Sequence, residues 1–202
     1  MVRRAAVRPP AARDGFRPYC AGASLPLVSG TGAPMFHPVE GDAAEASLLI
    51  AAPRADVAAV IADLAAYPAW NAEIPDVDVL GSDPEGRPRQ ARLVLASAML
   101  RDELVLDYEW WWPERVAWRL ARPGRSVCSM AGSYTLREDA DGRHTTVTYR
   151  LSVELTVALI APLRRKAERV VIERALVGLQ QRVEQQRVHE QRVRTLEEEQ
   201  WD

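Results

Sequence analysis

Six strand-like segments follow one another between Val77 and Val157, and no other feature of the sequence restricts the fold as strongly. They are separated by short links with turn chemistry, such as Asp83-Pro84-Glu85-Gly86, Pro123-Gly124 and Asp141-Gly142. Strands joined by hairpin-length links pair with their chain neighbours in an antiparallel meander. The sequence therefore predicts a sheet of consecutive antiparallel strands.

Further elements flank these strands in the chain. A short apolar strand begins at Ala44 and ends at Pro53, and a helix and a second helical turn near Trp70 follow it. From about Ile160 to Val183, apolar residues recur at steps of three and four, which predicts one long amphipathic helix.

Period-two alternation predicts which side chains the strands bury. The clearest strand places Leu104, Leu106, Tyr108, Trp110 and Trp112 on one face and most of its charges on the other. The other strands have these inward positions: Leu93, Leu95, Val116, Trp118, Leu120, Cys128, Met130, Tyr134, Leu136, Val147, Tyr149, Leu151, Val153 and Leu155. We predict an α+β fold in which a curved seven-stranded antiparallel sheet wraps around a long C-terminal helix, with two short helices after the first strand.

The inward face is unusually aromatic. Four of the six tryptophans lie in the stretch DYEWWWPERVAW, residues 107–118, where Trp111 is expected to face outward. Aromatic side chains with a polar tip suit the wall of a ligand cavity, since they combine apolar area with a few hydrogen-bonding groups. Buried aromatics also fill ordinary cores, so a hollow and a filled interior both remain open at this point.

Composition excludes several classes of function. A formal charge of −2 and a pI near 6.0 argue against a nucleic-acid partner, which would call for a basic face. Arg3 and Arg4 are not followed by the apolar stretch of a signal peptide, and two cysteines cannot build a disulfide framework. We expect a cytoplasmic protein, either monomeric or weakly dimeric, without stable membrane insertion; transient membrane contact stays open.

No cofactor and no metal are expected. His37, His144 and His189 are scattered singly, and no cysteine or histidine cluster has zinc spacing. The sequence also lacks a glycine-rich phosphate loop and a catalytic triad order.

The chain divides into three predicted regions. Residues 1–43 are rich in proline and have no helical or strand period, so we expect a disordered extension. Residues 44–186 contain all the patterned segments and form the predicted domain. Residues 187–202 keep helix-forming residues but lose the apolar stripe, which indicates a polar helical or frayed tail.

Three segments carry a family resemblance: IAAPRADVAAVIADLAAYPAWN (50–71), GSYTLREDADGRHTTVTYRLSVEL (132–155) and LRRKAERVVIERALVGLQQRVE (163–184). With this order of elements, the chain resembles the START-like (SRPBCC) superfamily. Within it the likeness is to the helix-grip polyketide cyclase/dehydrase and lipid-transport group, which includes the birch pollen allergen and coenzyme-Q-binding relatives. The resemblance implies a deep apolar cavity between sheet and helix, and one fold of this kind serves carriers, sensors and some enzymes.

The expected cavity wall combines the inward strand positions with residues of the helices. It comprises Trp70, Leu93, Leu95, Leu106, Tyr108, Trp110, Trp112, Trp118, Met130, Tyr134, Tyr149, Leu151, Ile172 and Leu176. Tyr108, Tyr134 and Tyr149 are the candidate catalytic residues, because the inward positions contain no Asp, Glu, His or Arg. Cys128 is interpreted as a packed apolar residue.

The favoured function is binding of a hydrophobic small molecule, such as a lipid, an isoprenoid quinone or a polyketide, by a carrier or sensor. A polyketide aromatase/cyclase-type enzyme and a protein-interaction module are the alternatives. Asp63 and Asn71 are interpreted as residues whose side chains cap and stabilise a turn. The basic run Arg164-Arg165-Lys166 is interpreted as a solvated helix face.

Overall fold

The computed structural model of the chain describes residues 43–97, 100–157 and 161–199, so the predicted extension up to residue 42 lies outside the described residues. The elements, in chain order, are β1 (Ala44–Ile50), α1 (Arg54–Ala62), a 3₁₀ helix (Leu64–Ala69), β2 (Asp76–Ser82), β3 (Pro88–Ala96), β4 (Arg101–Trp111), β5 (Arg115–Leu120), β6 (Val127–Glu138), β7 (Thr145–Leu155) and α2 (Ala161–Glu199). Neither described helix has a stretch of the length and hydrophobicity needed to cross a lipid bilayer.

The seven strands form one antiparallel sheet in the order β1-β7-β6-β5-β4-β3-β2. Strands β2 to β7 pair with their neighbours in the chain, as the hairpin-length links predict, and β1 pairs with β7 at the far edge. The predicted fold class is therefore confirmed. The two helices after β1 are separated at Asp63, whose carboxylate accepts a hydrogen bond from Ala66 N at 3.3 Å and caps the 3₁₀ helix.

Helix α2 covers the apolar face of the sheet. Its buried stripe follows the three- and four-residue spacing through Ile172, Leu176, Leu179 and Val183, each 3% exposed or less. Gly178 lies on the same part of the helix, where an added Cβ would stand 2.6 Å from the carbonyl oxygen of Trp70. Only a residue without a side chain allows this close approach.

The helix continues beyond this stripe to Glu199. Val188, Val193 and Leu196 on the continuation are 41–64% exposed, so this stretch packs little against the domain. The division of the chain into a domain up to residue 186 and a polar tail stays a prediction.

A β-bulge at the start of β6 corrects one predicted orientation. Cys128 was expected to point inward, but the register of β6 against β7 shifts between Val127 and Ser129. The extra residue moves the inward position to Val127, which is fully buried, and leaves Cys128 half-buried.

Asp102 fixes the loop between β5 and β6. The residue occupies the first inward position of β4 and is only 5% exposed, which corrects the expectation that the inward positions contain no acidic residue. Its carboxylate accepts hydrogen bonds from four backbone N–H groups, those of Glu103, Arg125, Ser126 and Val127, at 2.7–3.1 Å. Burial favours the neutral acid, but these bonds outweigh it and hold the pKa of Asp102 below its ordinary value. The ionised side chain therefore stabilises the folded state.

Replacing Asp102 by alanine should cost about 3 kcal/mol of unfolding free energy near neutral pH, because the loop amides lose a charged acceptor. The folded pKa is depressed, so this contribution is present above the unfolded pKa of about 3.9 and is lost as pH falls through the folded value. Urea unfolding of both proteins across this range measures the difference. Glu103→Gln, at a side chain 63% exposed, is the control and should change stability by less than about 0.5 kcal/mol. A pH-independent difference would contradict this account.

Candidate ligand-binding cavity

A cavity of about 820 Å³ lies between the apolar face of the sheet and the first half of α2. Its size is that of sites for drug-sized ligands, and apolar side chains form most of its wall. Seven residues of α2 border it: Lys166, Ala167, Glu168, Val170, Val171, Arg174 and Ala175. The interior is therefore hollow, whereas the sequence had left a hollow and a filled interior both open.

The strands supply the opposite wall. The residues named from the sequence that border the cavity are Leu93, Leu95, Leu106, Tyr108, Trp110, Trp118, Met130, Tyr134, Tyr149 and Leu151. All of them occupy inward positions of period-two alternation within a strand. Their contact with a ligand stays a prediction.

Trp112 lies outside the cavity wall, contrary to the expected inward orientation. Strand β4 ends at Trp111, whose carbonyl accepts a hydrogen bond from Glu114 N at 2.8 Å and closes a turn. Alternation ends with the strand, so Trp112 is 40% exposed and its ring packs 6.4 Å from that of Trp110. Trp111 faces outward as predicted, with the guanidinium of Arg115 5.0 Å from its ring.

Trp70, Ile172 and Leu176 also lie away from the cavity. Ile172 and Leu176 are buried where α2 packs on the core, and Trp70 packs against Gly178 and the ring of Tyr67. At Gly178 the helix lies in direct contact with Trp70.

An aromatic cluster forms one part of the wall. The rings of Tyr134 and Tyr149, which face each other across β6 and β7, are 4.4 Å apart, and that of Trp118 is 5.4 and 5.6 Å from them. Trp118 pairs with Gly132 on β6, where a Cβ would lie 2.4 Å from its indole. The missing side chain lets the indole lie across the neighbouring strand, which leaves the space above it open.

The phenol groups of this wall differ in their hydrogen bonding. The hydroxyl of Tyr67 donates to Ile61 O at 2.9 Å. The hydroxyls of Tyr108, Tyr134 and Tyr149 make no hydrogen bond to another described residue. Each of these oxygens retains accessible surface, and all three residues border the cavity. Burial raises the pKa of all three phenols, so they stay protonated and can donate a hydrogen bond to a guest molecule.

Two carboxylates border the cavity, although none was expected there. Glu73 precedes β2 and Glu168 lies on α2, and their residues are 7% and 4% exposed. Strand alternation cannot find either residue, because neither belongs to a strand. The helical period does place Glu168 on the buried face, four positions before Ile172. We find no comparable sequence signal for Glu73.

Glu168 connects α2 to the sheet. Its Oε1 accepts a hydrogen bond from Val153 N at 3.0 Å. Among the described residues, the pairing of β1 with β7 ends at Leu151, and the Glu168 carboxylate is the acceptor for the N–H two residues further along β7.

Asp139, Asp141 and His144 form a cluster of metal-ligand type in the turn between β6 and β7, with ligand atoms within 4.8 Å of one another. The Asp139 and Asp141 carboxylates already accept the amide N–H of Arg143 at 3.1 and 2.8 Å. These contacts are typical of side chains that stabilise a turn.

Comparisons with known proteins agree with this architecture. A family model described as "Polyketide cyclase / dehydrase and lipid transport" matches residues 43–186. A START superfamily protein from Mycobacterium smegmatis superposes with a TM-score of 0.66 at 22% identity over 72% of this chain and 99% of its own. The Zhui aromatase/cyclase from Streptomyces sp. R1128 gives 0.56 at 18% over 71% and 93%. No curated protein matches the sequence. At these identities the structures show a shared fold.

The hydrogen-bonding difference among the tyrosines predicts a difference in stability. Tyr67→Phe should lower the unfolding free energy by about 1 kcal/mol, because Ile61 O loses a buried donor. Tyr134→Phe and Tyr149→Phe remove hydroxyls without a protein partner and should leave it unchanged or slightly higher. Urea denaturation of the three variants makes the comparison. Equal losses at all three positions would show that the cavity hydroxyls are bonded within the protein.

Proposed function

Because the chain belongs to the polyketide cyclase / dehydrase and lipid transport family, we propose that it binds a hydrophobic small molecule between the sheet and α2, as a carrier or sensor. The observation that carries this proposal is the cavity of about 820 Å³ with an apolar wall and three phenols that have no acceptor among the described residues. An apolar wall favours an apolar ligand through the area removed from water. A few fixed polar groups then set its orientation.

The phenols narrow the class of ligand. Tyr108, Tyr134 and Tyr149 can each donate a hydrogen bond, so a guest with carbonyl or other acceptor oxygens satisfies them. A purely aliphatic guest leaves these donors unpaired at a cost. Among the predicted ligands, a polyketide or an isoprenoid quinone meets this requirement better than a simple lipid chain.

A polyketide aromatase/cyclase-type enzyme is the second candidate. The carboxylates of Glu73 and Glu168 favour it, because the cavity holds acidic side chains as well as the phenols. Aldol cyclisation needs a base that accepts a proton from the α-carbon and a donor that protonates the oxygen of the carbonyl whose carbon is attacked. A carboxylate and a phenol are suited to these two roles.

The remaining expectations stay predictions. They comprise location in the cytoplasm, a monomer or weak dimer, the absence of nucleic-acid partners and of stable membrane insertion, transient membrane contact, and the alternative role as a protein-interaction module.

A matched pair of probes tests the proposed binding. Methyl naphthyl ketone and isopropenylnaphthalene have nearly the same shape, but only the ketone accepts a hydrogen bond. The wild-type protein should bind the ketone about tenfold more tightly, and the Tyr134→Phe/Tyr149→Phe double variant, which keeps only the Tyr108 hydroxyl of the three, should lose most of this preference. Titration calorimetry gives the affinities, and Tyr67→Phe is the control that keeps the preference. Absence of binding by both probes would contradict a ligand cavity.

Turnover separates the enzyme from the carrier. A cyclase should convert a reactive poly-β-ketone chain to an aromatic product, and the same double variant should lose most of this rate, since general acid catalysis contributes about a hundredfold or more. Liquid chromatography of the products measures it. A wild-type rate equal to that of buffer would eliminate the enzymatic candidate while leaving binding intact.

A further inference from the structure

Gly132 interrupts the row of side chains that β6 contributes to the cavity wall. It occupies an inward position between Met130 and Tyr134, both of which border the cavity. Period-two alternation would place another wall side chain there, but glycine has none. The indole of Trp118, the partner of Gly132 on β5, takes this space instead. The glycine therefore determines how the indole lies.

The indole lies with one face on the backbone of Gly132. A Cβ built at this glycine would stand 2.4, 2.5 and 2.9 Å from Cζ2, Cε2 and Nε1 of Trp118. These ring atoms are consecutive, and an atom approaching along the ring edge at the first two distances would lie closer still to Nε1. The longer distance to Nε1 places the added atom above the plane of the ring. The indole is therefore stacked against β6.

The other face of the indole is turned toward the cavity. Because one face of this planar ring rests on the sheet, the opposite face points into the space between the sheet and α2. Trp118 borders the cavity there and is 8% exposed. The cavity wall thus contains a flat aromatic surface that the neighbouring strand supports from behind.

Tyrosine rings stand on two sides of this surface. Tyr108 faces Trp118 across β4 and β5, with ring centroids 6.3 Å apart and planes tilted by 35°. Tyr134 and Tyr149 lie on the opposite side, at 5.4 and 5.6 Å with tilts of 45° and 54°. These rings are inclined to the indole and do not extend its plane. Together they form a slot with a flat floor, the indole of Trp118, and aromatic sides.

We propose that this slot binds a planar ring of the ligand, and that Gly132 is the positioning residue behind this specificity. An aromatic or quinone ring stacks on the free face of the indole and gains more than its buried area alone provides. A saturated ring carries hydrogen atoms above and below its carbon skeleton, so it approaches a flat surface less closely. This inference rests on the proposed function and narrows its ligand class to molecules with a planar ring system.

A methyl group at position 132 should remove the floor. In Gly132→Ala the added atom overlaps the indole, so the ring must tilt away from the sheet and into the cavity. The tilted ring then occupies part of the slot and no longer offers its face. Trp118→Phe in the same chain supplies a shorter ring that leaves room for the methyl group, so a flat aromatic face returns in part.

Methyl naphthyl ketone and methyl decalyl ketone test the proposal, since they share a carbon skeleton and a carbonyl group but only the first is planar. Titration calorimetry should show that the wild-type protein binds the naphthyl ketone about tenfold more tightly, although the saturated ketone is the more hydrophobic. Gly132→Ala and Trp118→Leu should each bind the two ketones about equally. Gly132→Ala/Trp118→Phe should recover part of the preference. Trp118→Leu keeps the glycine, so it decides the question should Gly132→Ala fail to fold.

Gly81→Ala is the matched control, because Gly81 also lies in a strand and an added Cβ there meets no described atom within 4 Å. It should keep the full preference. Equal wild-type affinity for the two ketones, or tighter binding of the saturated one, would overturn the planar slot but leave the cavity's binding function standing. An undiminished preference in both Gly132→Ala and Trp118→Leu would overturn the assignment to these residues. Failure of both ketones to bind would overturn the proposed function and this inference together.

Discussion

The rest of the structure depends on one contact, the close packing of α2 against the core along the stretch from Ile172 to Val183. At Gly178 the helix approaches the Trp70 carbonyl so closely that no side chain fits. The stripe on either side of this point is almost completely buried, and its burial supplies the apolar stabilisation of the helix. Residues of α2 from Lys166 to Ala175 border the cavity. One helix therefore both packs on the core and borders the cavity, through overlapping stretches.

Three buried carboxylates join elements that lie apart in the chain. Asp102 on β4 accepts hydrogen bonds from the N–H groups of Glu103, Arg125, Ser126 and Val127. Glu168 on α2 accepts the N–H of Val153 on β7, and Glu73, before β2, accepts a hydrogen bond from Arg174 on α2. Buried charged groups are tolerated in a fold when they are paired or hydrogen-bonded, so these contacts fix where α2 and the loop lie relative to the sheet.

Period-two alternation was a reliable guide inside the strands and unreliable at their ends. It placed Leu106, Tyr108 and Tyr149 correctly, because a strand in a sheet with one covered face has no other way to direct its side chains. It was wrong at Trp112, where the strand had already ended in a turn, and at Cys128, where a bulge adds a residue. Both errors occur where backbone geometry departs from the regular pleat, which the identity of the side chains does not reveal.

The sequence by itself determined the antiparallel order of the strands, the buried face of most of them and the helix that covers it, because these follow from periodicity and short turns. The tertiary structure alone decided that the interior is hollow, since alternation shows which way a side chain points but not how far the opposite wall stands. It also decided that Glu73 meets Arg174 at the border of the cavity. Those residues lie 101 positions apart, on a loop and a helix whose meeting depends on the packing of the whole domain.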